Sequence, residues 1–173
     1  MTPMTTEIRS LWLMPNPADQ AFLASLIGEL ASRFGTPIFA PHLTLRGDTD
    51  ATFERLHDEV RAAASALQPF AEPINSVETT EAFFRAFYVR FAVSVPLDRL
   101  KRRLDPEGLE DFMPHVSLLY GKLPEVVKAP AAAEFRQRLA GRAMTFDRVC
   151  VVRSGQDIAI ADWTIQATVP LGR

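Results

Sequence analysis

Two stretches of this chain carry the same arrangement of reactive side chains. Pro41-His42-Leu43-Thr44-Leu45 and Pro114-His115-Val116-Ser117-Leu118 each read proline, histidine, aliphatic, hydroxyl, leucine, and the histidines stand 73 residues apart. On extended backbone, side chains alternate between faces. His42 then shares a face with Thr44 and His115 with Ser117, while Leu43, Leu45, Val116 and Leu118 turn into a core. Two imidazoles that can trade protons near neutrality, with two hydroxyl donors beside them, suit metal-free attack on a phosphate diester. One His-x-Thr is common by chance, and a lone strand histidine is usually structural. The repeat, in a chain with three histidines, points to paired catalysis.

Other chemistries fit less well. The third histidine, His57, falls at the edge of a helical apolar stripe and reads as a boundary residue. Three histidines, with no acidic residue in either motif, make a poor ligand set, so neither metal nor other cofactor is expected. Nineteen basic and 21 acidic residues give a net charge of −2, whereas a protein that wraps long nucleic acid carries a basic surface. A small phosphorylated ligand or an RNA end fits better than a stable nucleic-acid complex. The single cysteine, Cys150, cannot form an internal disulfide, which suits a reducing compartment. No apolar run is long enough to span a membrane, and the polar stretch Met1 to Glu7 lacks a signal-like apolar segment. A cytoplasmic monomer is the expectation, and Arg46-Gly47-Asp48 is discounted as an adhesion motif.

The elements that must position the motifs follow from periodicity and punctuation. At 173 residues the chain has room for one domain, 1–173, of one sizeable core or two small lobes. Ile8 to Met14 reads as a buried strand. Asn16-Pro17 reads as a cap and first turn, and Phe22, Leu23, Leu26, Ile27, Leu30 and Phe34 recur at helical spacing until Gly35. The first motif strand ends at Gly47-Asp48. Asp50 is the expected cap of a second helix, to about Leu67, with Phe53, Leu56, Val60, Ala64 and Leu67 on one face. Phe70 to Thr80 and Ala82 to Val95 read as paired strands, the second burying Phe87, Val89, Phe91, Val93 and Val95 and turning Phe84, Tyr88 and Arg90 outward. Leu97 to Leu104 reads as a short helix whose charges, Arg99 to Arg103, form a solvated face. The second motif strand spans Met113 to Tyr120, and Pro130 to Leu139 reads as a helix starting at its proline. Met144 to Arg153 and Ile158 to Val169 close the chain as a strand pair, with Trp163, Ile165, Ala167 and Val169 facing a core. The class is α+β, with antiparallel strands inside and helices outside.

The repeated motif resembles the 2H phosphoesterase superfamily, named for two His-x-Thr/Ser motifs. Phe112-Met113-Pro114-His115-Val116-Ser117-Leu118-Leu119-Tyr120-Gly121 is similar to the second motif of the cyclic phosphodiesterases of plants and yeast. Leu11-Trp12-Leu13-Met14-Pro15, Phe83-Phe84 and Asp162-Trp163 also look like that family, and the likeness departs between Pro96 and Phe112. The resemblance implies a bilobal fold of two antiparallel sheets lining a cleft. It implies hydrolysis of ADP-ribose 1″,2″-cyclic phosphate and nucleoside 2′,3′-cyclic phosphates, with His115 as base and His42 as acid. Thr44 and Ser117 would donate to the non-bridging phosphate oxygens.

Four further residues are candidates for substrate binding. The family places a tyrosine at Tyr120 near the site, although strict alternation from His115 sends it to the wrong face unless the strand ends or bulges there. Arg46 shares the His42 face by alternation and could meet a phosphate. Trp12 and Phe84 could stack on a base, though strand aromatics are more often core. Two other readings stand beside the cyclic phosphodiesterase. One is an RNA-end enzyme of the 2′–5′ ligase-like branch, which calls for a broader basic track. The other is a catalytically silent module that binds cyclic nucleotides.

Overall fold

The computed structural model describes residues 6–172, so most of the polar N-terminal stretch lies outside the described residues. Seven strands form one antiparallel sheet: β1 (Arg9–Pro15), β2 (Leu43–Thr49), β3 (Phe70–Thr79), β4 (Phe87–Phe91), β5 (His115–Leu119), β6 (Ala143–Arg153) and β7 (Thr164–Pro170). Their order is β1-β2-β5-β4-β3-β6-β7, and β1 also pairs with β6. The two expected sheets are therefore halves of one ring of hydrogen-bonded strands. One half is β2-β1-β6-β7 and the other β5-β4-β3. They join at the single pair Leu43↔Val116 on one side and through Phe70–Pro73 against Ala143–Phe146 on the other.

Among the described residues four α-helices cover the outside: α1 (Pro17–Phe34), α2 (Phe53–Ser65), α3 (Val95–Leu104) and α4 (Glu125–Leu139). Among the described residues no helix is long and apolar enough to cross a membrane. α1 has the bounds its sequence implies. The Asn16 side chain accepts from the Asp19 amide, and Gly35 ends the helix at φ 67, a left-handed turn that costs glycine nothing. Its buried Leu23, Leu26, Ile27 and Leu30 join Leu11, Leu13, Leu43, Val116 and Leu118 in the main core. β1 is buried on both faces: Leu11 and Leu13 face that core, while Trp12 and Met14 form a second cluster with Cys150 and Val152.

Several boundaries differ from expectation, each for a local reason. β2 continues through Gly47-Asp48 to Thr49, because β1 supplies partners as far as Arg9↔Thr49. The cap of α2 is Thr52, whose hydroxyl accepts from the Arg55 amide, rather than Asp50. Phe83–Arg85 is a short 3-10 turn, so β4 begins only at Phe87. Val93 and Val95 lie exposed, at and just before the start of α3. Lys101 does not belong to a solvated face: it is buried, and its ammonium donates to Leu45 O at 2.7 Å and to Asp105 at 2.8 Å. α4 starts five residues before Pro130. The carbonyl that loses its helical bond to this proline belongs to Val126 in the exposed first turn. A 3-10 turn at Ile160–Asp162 delays β7, an edge strand on which Ile165 is exposed.

Candidate active site

Both histidines are set by the same local device. In Ala40-Pro41-His42, the His42 Nδ1 lies 2.7 Å from Ala40 O. In Met113-Pro114-His115, the His115 Nδ1 lies 2.8 Å from Met113 O. A proline keeps the residue before it extended and fixes its own φ, which presents the carbonyl two residues back to the ring. A carbonyl can only accept, so Nδ1 carries the hydrogen. Nε2 is then the nitrogen that accepts a proton when the ring is neutral and donates one when it is charged. His42 precedes β2 by one residue, and His115 opens β5. The Leu43↔Val116 pair ties the two motifs together across the seam.

Both rings line one cavity of about 260 Å³, together with Thr44, Ser117, Tyr120, Trp12 and Phe84. The indole of Trp12 stacks on His42, with ring centroids 3.6 Å apart and planes 9° from parallel. The Ser117 hydroxyl donates to Phe84 O at 3.3 Å. β5 ends at Leu119, which frees Tyr120 from strand alternation and turns it into the cavity. Burial pushes the Tyr120 phenol up, with Ser117 beside it acting in the opposite sense, so it remains a neutral donor. Burial also lowers both imidazoles. His42 falls to about 4, despite the Ala40 hydrogen bond and with a smaller push from His115. His115 falls as well, opposed by the Met113 bond and helped by Arg85 and Arg90.

Arg46 is the one candidate that faces elsewhere. Between Trp12↔Thr44 and Leu11↔Arg46 the register slips by one residue, and such a bulge inverts the alternation beyond it. The Arg46 guanidinium therefore turns towards α2 and α3, bonding Leu104 O at 3.3 Å and Thr49 Oγ1 at 3.2 Å, 3.9 Å from Glu59. The cation on the cavity wall is instead Arg85, in the 3-10 turn that sequence reading took for strand. Trp163 was assigned to the core but also lines the cavity. It meets Trp12 edge-on at 5.8 Å and Tyr120 at 5.7 Å, and its position just before β7 exempts it from strand alternation. Asp48, Gln156, Ser10 and Ser154 complete one rim. Gly155 belongs there because a Cβ would meet Asp48 Oδ2 at 3.2 Å and Ile8 at 3.1 Å. His57 lies outside the cavity, against Phe53. Among the described residues no three His, Cys, Asp or Glu side chains are grouped to hold a metal ion.

Residues 19–158 match the 2′-5′ RNA ligase superfamily. The chain belongs to that superfamily, the 2H phosphoesterases. A cyclic phosphodiesterase of Arabidopsis thaliana is 22% identical over 179 residues, spanning 99% of each chain. Among solved 2H phosphoesterase-like structures, E. coli LigT complexed with 3′-AMP superimposes with a TM-score of 0.59 at 14% identity, covering 98% of this chain and all of that one. A Thermus thermophilus protein gives 0.59 at 16% identity, covering 95% of this chain and 98% of its own. These likenesses place the fold among the 2H phosphoesterases, as its motifs imply.

Proposed function

We propose that this protein hydrolyses cyclic phosphodiesters by paired histidine catalysis, with nucleoside 2′,3′-cyclic phosphates and ADP-ribose 1″,2″-cyclic phosphate as substrates. The observation that carries this reading is the matched pair of Nδ1–carbonyl bonds, which leaves two Nε2 atoms for one cavity beside Thr44 and Ser117. Water attacks phosphorus and gives its proton to the neutral imidazole. The bond from phosphorus to the leaving sugar oxygen breaks, and that oxygen takes a proton from the charged imidazole. Thr44 and the neutral Tyr120 hydroxyl donate to the non-bridging oxygens as charge develops, joined by Ser117 once its hydroxyl turns from Phe84 O, while Trp12, Phe84 and Trp163 exclude water and offer faces to a base. The similarity to the Arabidopsis cyclic phosphodiesterase supports this substrate class, and E. coli LigT, of related fold, has been solved with the small phosphates 3′-AMP, phosphate and ATP.

The burial of His42 bears on the order of proton transfer. Following the resemblance, His115 serves as base and His42 as acid, and the burial that makes the His42 ring hard to charge readies it to give up its proton. The two lobes supply one histidine each and act as one domain. The test is phosphorus NMR of purified protein with nucleoside 2′,3′-cyclic phosphate in excess chelator. Opening at the 3′ oxygen, to a 2′-phosphate, is expected. A clean 3′-phosphate, or turnover that requires an added divalent metal, would overturn the reading.

A further inference from the structure

The cavity has one cationic and one anionic side chain among its lining residues, Arg85 and Asp48. The histidine and hydroxyl groups that surround the reacting phosphate do not include Arg85. Most other arginines are tied to carboxylates, among them Arg46 to Glu59, Arg90 to Glu78, Arg102 to Asp98 and Arg138 to Glu29. Among the described residues Arg85 has no such partner, and it is exposed at the mouth.

Its platform is firmly built. The loop from Thr80 to Ala86 is closed at the neck by Thr80 N donating to Ala86 O at 3.3 Å. The fully buried Lys128 of α4 donates to the carbonyls of both Thr80 and Ala86, and its ammonium meets Glu125 at 2.9 Å. Inside the loop, Phe83 O accepts from the Gly121 amide at 3.0 Å and Phe84 O from Ser117. The carbonyl of Phe84, next in sequence to Arg85, is thus held by a hydroxyl assigned to the reacting phosphate. Arg85 thus stands on a pinned stretch of backbone next to Phe84, and its guanidinium is not engaged in neutralising a carboxylate of the fold. Elsewhere on the wall, beside Gly155 and Gln156, Asp48 accepts from the Gln156 amide at 3.1 Å and repels any anion placed there.

We infer that Arg85 is a specificity residue that binds a second phosphate of the substrate, selecting cyclic phosphates that carry an additional phosphoryl group over those that carry one phosphate alone. This rests on the cyclic phosphodiesterase reading and adds a direction to it. The extra phosphoryl lies on the Phe84–Arg85 side, and uncharged hydroxyls or base edges lie on the Asp48–Gln156 side.

The experiment compares adenosine 2′,3′-cyclic phosphate with its 5′-phosphorylated form, on the wild type and Arg85→Gln. An exposed residue on a pinned loop can be changed without unfolding the chain. A charge-assisted bond to phosphate is worth roughly 10- to 100-fold. Arg85→Gln is therefore expected to lower kcat/KM for the 5′-phosphorylated substrate by at least about tenfold more than for the other, whose smaller change reads the lost influence of Arg85 on His115. Equal loss on both would place Arg85 on the reacting phosphate and overturn the inference, as would no loss on either. Calorimetric binding of adenosine 2′-phosphate against adenosine 2′,5′-bisphosphate separates failure of this inference from failure of the catalytic reading. A wild-type preference for the bisphosphate that Arg85→Gln abolishes upholds the site even without turnover, and absence of that preference removes it.

Discussion

The burial of His42 against Trp12 makes a prediction about stability. The folded ring is held neutral down to about pH 4, whereas in the unfolded chain it takes up a proton near 6.5. Between those values the unfolded state binds the extra proton, so stability falls as pH drops from about 6.5 towards 4, and this contribution is flat below. Each pH unit is worth about 1.4 kcal/mol, so the loss is about 2 kcal/mol by pH 5 and about 3 kcal/mol by pH 4. The perturbation is His42→Asn, which keeps a donor for Ala40 O and cannot titrate. Urea denaturation of both proteins across pH 7 to 4 isolates the term, because the carboxylates and His115 contribute to both curves and cancel in the difference. The stability gap should shift in favour of the variant by about 3 kcal/mol over that range. Parallel curves would mean that the folded imidazole titrates like an exposed one, and the argument from stacking and burial would be wrong.

Three further outcomes follow from the same geometry. His42→Ala and His115→Ala should each lower turnover by at least about 100-fold with the fold retained by circular dichroism, and an aryl phosphodiester with a good leaving group should rescue only the variant lacking the acid. Because both imidazoles are lowered from 6.5, kcat/KM should peak on the acid side of pH 6.5 and fall as pH rises, since the singly protonated pair disappears; a maximum above pH 7.5 would contradict this. Lys128→Met should cost about 1–3 kcal/mol in denaturation by taking the ammonium from Thr80 O and leaving Ala86 O only the Thr80 amide, and should raise KM more than it lowers kcat, because the loop it clamps carries Phe84 and Arg85.

What could be read in advance divides along physical lines. α1 was legible to the residue because its signals are local: a capping Asn16, a proline in the first turn, and Gly35 where a left-handed turn is needed. The two motifs were legible for the same reason, since each proline acts on its neighbours. Arg46 was placed on the wrong face because a bulge depends on which β1 residue lies opposite, and no window on β2 contains that information. Phe84 was a candidate for stacking on a base, whereas Arg85, its neighbour, went unnoticed because the 3-10 turn presenting both is held by Lys128, more than 40 residues along the chain. Trp163 looked like core by alternation. It precedes its strand, so the alternation does not apply to it.

The pairing of β1 with β6 sets the timing of assembly. Leu11 lies opposite Val151, 140 residues further along the chain. During synthesis β2 can pair with one side of β1 early. The other side, with the apolar side chains of Leu11 to Met14, has no strand to lie against until β6 has left the ribosome. Closure over so long a separation is slow, and an open apolar edge invites association with other nascent chains meanwhile. The cleft takes shape only when that strand pair docks. Folding yield in a cell-free translation, with and without a chaperone that shields apolar segments, should therefore depend on the segment that forms β6 far more than on the first motif.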